Sequence, residues 1–358
     1  MMKNKFIALL SIIIISLFIG SCQKATEPPP AEEESLLTGK IAFSSNINGI
    51  NGIYTINPDG TELKQILGGG VEPKWSPDGT LIAYRAPSVY SKNNYAVYIM
   101  NADGSNVHIV PAQPAKLSTG KYQQWSPDGE KIAYSHSLTE DLYAANRIVI
   151  VDLFKDSTLE INNNFAVEDI IPKWSPDGKK IIFISNRDAK AFGMYDLYIM
   201  NSNGKNIKRL TQNGGILHYL WYPSDQSIIF SVGQNRDISS DGIGRVDTTG
   251  NLLWFNDMPG NIRLGKLSND GKRLAFSSSD GIIQILDIQS KSIQKVIVNS
   301  VSDYRYYPVD WSIDDKELLT MSVTRDFQNK YLDMVNVKTG IPKRLVQFDK
   351  IQAADWHK

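Results

Sequence analysis

The sequence predicts an all-β fold, a seven-bladed β-propeller of four-stranded blades closed by pairing of its N- and C-terminal strands. Three observations predict it. The pentapeptide Trp-Ser-Pro-Asp-Gly occurs three times, at 75–79, 125–129 and 174–178. Looser copies follow at Trp221, Leu267 and Trp311, and a last anchor stands at Trp356, so the anchors recur every 44 to 50 residues, a period typical of propellers and solenoids. Finally, the phase is offset: the repeat opens on a second-strand run at residues 40–45 and ends on a first-strand run at 353–356. Joining the two runs in one sheet shuts the ring and removes the free edges of a linear array.

Ahead of the repeat the grammar is different. Lys3 and Lys5 precede an almost unbroken apolar run over residues 6–19, and Gly20-Ser21 puts small residues before Cys22. This charged, apolar, small order is that of an export signal, and the run is short of the roughly 20 residues a permanent span needs. Ile19-Gly20-Ser21-Cys22 resembles the bacterial lipobox, which implies a lipid on Cys22 and anchoring to a membrane of the cell envelope, the outer membrane being the favoured one, with the protein facing the periplasm or the outside. Cys22 is the only cysteine, so no internal disulfide can form. Glu27-Pro28-Pro29-Pro30 and Glu32-Glu33-Glu34 follow without apolar periodicity and read as a solvated tether. The expected divisions are a signal peptide over 1–21, the lipidated cysteine and tether over 22–38, and the propeller over 39–358.

Within each unit the first strand ends at the anchor. Ser-Pro-Asp-Gly then turns the chain, with Pro fixing φ and Gly accepting positive φ. A second strand follows, seven times in all, as in Ile82-Ala83-Tyr84 or Leu274-Ala275-Phe276. The third ends on Asn57, Asn101, Asp152, Asn201, Asp247, Asp287 or Asn336, each an acceptor suited to an Asx-turn. Short Gly-containing turns lead into a fourth strand such as residues 208–210. The repeated Asp-Gly pairs lack the dense oxygen ligands of a calcium loop and read as turns. The six anchor tryptophans, at one position of each repeat, read as core between blades, and Trp254 as packing in an outer strand.

The whole pattern, over residues 39–358, resembles the TolB-type, WD-like propeller repeats of bacterial envelope proteins. The motif is strongest at Trp75, Trp125 and Trp174 and weakens at Trp221, where Tyr-Pro-Ser-Asp follows, and at Leu267, where the aromatic is lost. The best-known TolB propeller has six blades, so seven repeats indicate a relative, and residues 23–38 leave no room for the extra N-terminal domain of TolB.

Lys plus Arg equals Asp plus Glu at 38 each, so no global field favours nucleic acid. One face of the ring carries the stereotyped turns and the other the irregular loops, where binding usually resides. On that second face an Arg-Asp pair recurs at Arg187, Arg236 and Arg325. These arginines either fix their loops against a neighbouring blade's acid or capture an acidic partner. Tyr90, Tyr95, Tyr304, Tyr306, His136 and His218 are further candidates for partner contacts. No Gly-x-Ser-x-Gly or His-Glu-x-x-His occurs, and there are only four histidines. The propeller also resembles that of the oligogalacturonate lyases, which implies a metal held by several histidines and a glutamine, but no motif here assembles that set. Nor does a hydrolase domain like that of the prolyl oligopeptidases follow the ring. The expectation is a monomeric, non-catalytic binding module for an envelope protein or glycan, without cofactor, bound metal or nucleic acid. The alternative is a metal-assisted lyase of acidic sugars.

Overall fold

The computed structural model describes residues 37–88, 91–110, 120–137, 146–161, 167–189, 194–212, 214–233, 242–255, 262–296 and 303–358. The expected leader, Cys22, Tyr90 and Arg236 lie outside them. The strands form seven four-stranded antiparallel sheets. Blade 1 joins Lys350–His357 to Lys40–Ile47, Ile50–Ile56 and Lys64–Gly68. Blade 2 is Val71–Trp75, Leu81–Ser88, Ser91–Asn101 and His108–Ile109, and blade 3 is Gly120–Trp125, Lys131–Ser137, Asn146–Asp152 and Ser157–Ile161. Blade 4 is Asp169–Trp174, Lys180–Ser185, Asp196–Asn201 and Lys208–Arg209, and blade 5 is Ile216–Tyr222, Ser227–Val232, Gly242–Val246 and Leu252–Phe255. Blade 6 is Arg263–Leu267, Arg273–Ser277, Ile283–Asp287 and Ile293–Val296, and blade 7 is Tyr304–Trp311, Glu317–Thr324, Lys330–Asn336 and Pro342–Phe348. Ile41 pairs with Trp356 and Phe43 with Ala354 across the closure, as the phase of the repeat predicts.

The core is divided among the wedges between blades. Side chains alternate across each sheet, so Ile41 and Phe43 pack with Leu332 and Met334 of blade 7, whereas Ala42 packs with Ile82 and Tyr84 of blade 2. Every anchor tryptophan enters such a wedge, and Trp311 is wholly buried. Three of them also tie blade to blade. The indole N–H of Trp125 donates to the carbonyl of Lys74 (3.1 Å), that of Trp221 to Lys173 (3.1 Å) and that of Trp311 to Lys266 (2.9 Å).

The Ser-Pro-Asp-Gly turn is a small hydrogen-bonded clamp. Ser76 Oγ donates to Asp78 (2.6 Å) and accepts the amide of Leu81 (2.9 Å), and Ser175 repeats this with Asp177 and Lys180. Gly79, Gly129 and Gly178 take φ of 71°, 72° and 70°, where a Cβ is disfavoured. The third-strand acceptors divide into two groups. Asp152, Asp247, Asp287 and Asn336 receive the amides ahead of them. In the units of Asn57, Asn101 and Asn201 the residue two further on, Asp59, Asp103 or Asn203, accepts instead.

Trp311→Ala removes a fully buried ring and the bond to Lys266, so it is expected to cost ~3–5 kcal/mol in equilibrium urea unfolding. Trp75 is only half-buried, and its indole N–H has no partner among the described residues. Trp75→Ala is therefore expected to cost at least ~1 kcal/mol less than Trp311→Ala.

Candidate functional site in the axial channel

The first strand of each blade is the innermost, and each of the seven is interrupted by a β-bulge where it pairs with the second strand. In blades 2, 3 and 4 the bulge places Glu72, Tyr122 and Ile171 at φ of 56°, 59° and 58°, each three residues before its anchor. A bulge bends a strand and re-aims the side chains after it. Here the next residue but one stands immediately before the anchor, and alternation turns it away from the wedge that the anchor fills.

Around the ring those residues are Lys74, Gln124, Lys173, Leu220, Lys266, Asp310 and Asp355. All but Asp355 line a cavity of about 660 Å³ together with Trp356, His357 and Lys358. Every blade contributes a residue to this cavity, which places it on the axis. Its mouth opens among the Ser-Pro-Asp-Gly turns, because Ser175, Pro176 and Pro127 also line it.

Its charges are unevenly matched. Lys74 pairs with Asp355 (3.1 Å), whose other oxygen accepts the backbone amide of Trp75 (2.9 Å). Asp310 receives both Lys266 (2.6 Å) and Lys358 (3.0 Å). Lys173 has no carboxylate among the described residues. Its ammonium donates to the carbonyl of Tyr219 (2.5 Å) and lies 5.0 Å from that ring's centroid. Burial pushes the Lys173 amine down to about 8, and the like charges of Lys74 and Lys266 add to the effect. Burial would also lower Lys266, but Asp310 and Asp355 outweigh it and hold this lysine above its usual range. Burial alone would raise Asp355, yet Lys74, Lys266 and the Trp75 amide keep it below the ordinary carboxylate value. Four side-chain amines thus meet two side-chain carboxylates around one open-mouthed channel.

The residues expected on the loop face are distributed differently. Arg187 donates to both oxygens of Asp169 (2.8 Å each), a fully buried acid of its own blade. It also lies over Phe183 and Tyr198, and Asp188 accepts the Tyr198 hydroxyl at 2.7 Å. This arginine fixes its loop, and the acid comes from the same blade rather than a neighbour. At Arg325 the backbone amide bonds to the Asp303 carbonyl (2.9 Å). Tyr95 lies beneath Arg85, which is paired with Glu72. Tyr304 packs on Tyr331 and Tyr306.

Burial corrects two of these expectations. Tyr306 is 1% exposed and His136 2%, so neither offers a surface contact. His136 is pushed down to about 4, mainly by burial and further by Arg147, against the pull of Glu160. His218 lies in the first strand of blade 5 and is also lowered to about 4, by burial and by Arg263 and Lys173. It stands on the innermost strand of its blade rather than in the loops. The structure gathers Lys74, Lys173, Lys266 and Lys358 into one site, and motif reading passed over all four. For three of them the column immediately before the anchors held the signal, and Lys358 stands two residues after the last anchor.

A metal is implied by the likeness to the lyases, and the described residues do not gather a set that fits one. Among the described residues no three His, Cys, Asp or Glu side chains come close enough to share an ion. The unpartnered Nδ1 of His136 has a cation, Arg147, as its cross-strand neighbour.

Comparison with known proteins agrees with this architecture. The family model described as the TolB beta propeller domain matches residues 80–301. A TolB homolog of Chlorobium luteolum is 31% identical over 183 residues, which cover 48% of this chain and 38% of that protein. Dipeptidyl-peptidase 5 of Porphyromonas gingivalis is 28% identical over 151 residues, covering 40% of this chain and 21% of the peptidase. The chain thus spans less than two fifths of the length of these relatives. Among solved structures, the oligogalacturonate lyase of Vibrio parahaemolyticus superposes with a TM-score of 0.62 at 15% identity, over 86% of this chain and 85% of the lyase. An oligogalacturonate lyase in complex with manganese gives 0.60 at 12% identity, over 86% of each chain. The expectation that the chain is not an enzyme is corrected by these matches, because its relatives in sequence and in fold include a peptidase and lyases. With its repeats, its ring and well over half its length matched by one family model, the chain belongs to the TolB β-propeller domain family.

Proposed function

We propose that this protein is a lipid-anchored propeller of the bacterial cell envelope that receives a carboxylated glycan in its axial channel. The observation that carries the reading is the surplus of amines over carboxylates in the ring formed by Lys74, Lys173, Lys266 and Lys358. Inside a protein the effective dielectric is well below that of water, so an unneutralised cation there attracts an anion more strongly than a surface lysine does. The lyases of similar fold act, by name, on oligogalacturonate, a chain of acidic sugars, and the same ligand class suits a cationic channel. The envelope location rests on the export-signal order of residues 1–21, on the lipobox-like residues 19–22 and on membership of the TolB propeller family.

Titration calorimetry with a short polyuronate, and with a neutral glucan of the same length, tests the reading. The polyuronate is expected to bind and to weaken with added salt, and Lys173→Gln to lower its affinity by about tenfold, the worth of one charged hydrogen bond. Affinity is expected to fall as pH rises through about 8, where Lys173 loses its proton. Equal binding of both sugars, or binding of an acidic peptide in preference to the polyuronate, sinks the glycan reading.

Lys173 also bears on stability. Its folded value lies below that of a lysine in the unfolded chain, so between about 8 and about 10.4 the unfolded state holds more protons and stability rises with pH. Lys173→Met is therefore expected to raise Tm at pH 7, by about 2–4 °C, with the gain shrinking through that window. A Tm lowered by this change at pH 7 would show that the amine stabilises the ring.

For the anchor, metabolic labelling with a radioactive fatty acid is expected to mark the wild-type chain in bacterial cells. Cys22→Ser is expected to remove the label and release the protein from the membrane fraction.

A further inference from the structure

Lys173 differs from its neighbours in the ring in a way that anion binding does not require. Lys74 and Lys266 are each bonded to an aspartate, whereas Lys173 has only the Tyr219 carbonyl and the face of that ring. It lines the axial cavity, so small solutes reach it from the mouth among the turns. A partly buried amine, beside other cations and without a carboxylate, sheds its proton more easily than a surface amine and becomes a nucleophile.

We infer that the side-chain amine of Lys173 is a reactive nucleophile that condenses with the carbonyl group of an aldehyde or ketone entering the channel, the open reducing end of an acidic sugar being one such group. The nitrogen lone pair attacks the carbonyl carbon. The carbonyl oxygen then leaves as water with both amine protons, and a C=N bond joins lysine to ligand. No electron is gained or lost, so no oxidant or reductant is consumed. For a carbonyl compound that also bears a carboxylate, the surplus charge of Lys266 and Lys358, which share Asp310 in the same cavity, attracts that group. This last step rests on the anion site proposed above, whereas the nucleophile itself does not.

The ring explains why Lys173 and not its neighbours would react. At pH 8 an amine titrating near 8 is about half neutral, against under about 1% for an ordinary lysine. Exposed lysines such as Lys155, whose side chain is 76% exposed, are the internal reference. Lys266→Gln removes one of the like charges acting on Lys173 and leaves Asp310 bonded to Lys358.

The test treats the full chain with glyoxylate, an aldehyde carrying a carboxylate, or with propanal, which is neutral. Sodium cyanoborohydride reduces any imine to a stable secondary amine, and peptide mass spectrometry reads the modified lysines from pH 6.5 to pH 9, a span chosen to bracket roughly one unit on either side of the expected midpoint. Lys173 is expected to react at least about tenfold faster than Lys155 at pH 7.5, with a midpoint near 8 that moves upward in Lys266→Gln. Modification of Lys173 no faster than Lys155 with either aldehyde overturns the inference, even where polyuronate binds. A midpoint unmoved by Lys266→Gln overturns the account of why this amine is reactive. Equal rates with glyoxylate and propanal uphold the nucleophile and count against the carboxylate site.

Discussion

The innermost strand of each blade must satisfy two demands at once, and the rest of the molecule depends on that constraint. Its anchor has to fill the wedge toward a neighbouring blade. Alternation turns the preceding residue to the other face of its sheet, and next to the bulge, which bends the innermost strand, that residue lines the axial cavity in six of the seven blades. Wedge packing and channel lining thus come from adjacent residues of one short segment, and seven repetitions turn that segment into a packed ring around a lined cavity. The indole bonds of Trp125, Trp221 and Trp311 make the link explicit. Each ends on the carbonyl of Lys74, Lys173 or Lys266, the residue that points its amine at the axis.

The electrostatics follow from that geometry. Seven positions converge on a narrow space, so any charge placed there is felt by the others. Two of the lysines are compensated by aspartates, and Asp310 serves two amines at once. Lys173 is not compensated, which is the arrangement expected of a group retained for what it meets rather than for what it stabilises. The loop face shows the opposite economy: Arg187 is fully committed to Asp169, and the two buried candidates there, His136 and Tyr306, belong to the interior.

The architecture was legible from the sequence because a propeller repeats its physics. The apolar run returns seven times and the tryptophan anchor six, with the same turn chemistry in most units, so the errors of any one unit average out, and even the closure follows from the phase. The site was not legible by motif, because its members share a position and not a residue type. Lysine, glutamine, leucine and aspartate alternate in one column, and a search for conserved chemistry passes over them. The irregular loops drew attention for the opposite reason: their variety looks like function, although at Arg187 it serves to brace the loop. The bulges were invisible as well, since non-glycine residues such as Glu72, Tyr122 and Ile171 take positive φ there, a conformation that sequence marks only when glycine supplies it.

The closing blade has a temporal meaning. Asp355 and Lys358 sit on or just after the last strand, and they neutralise or complement lysines contributed by blades 2 and 6. A ribosome delivers these residues after every other blade has emerged, so an unfinished chain holds Lys74 and Lys266 without the carboxylate of Asp355 and without Lys358. The charge pattern of the channel comes into existence in the same event that shuts the ring.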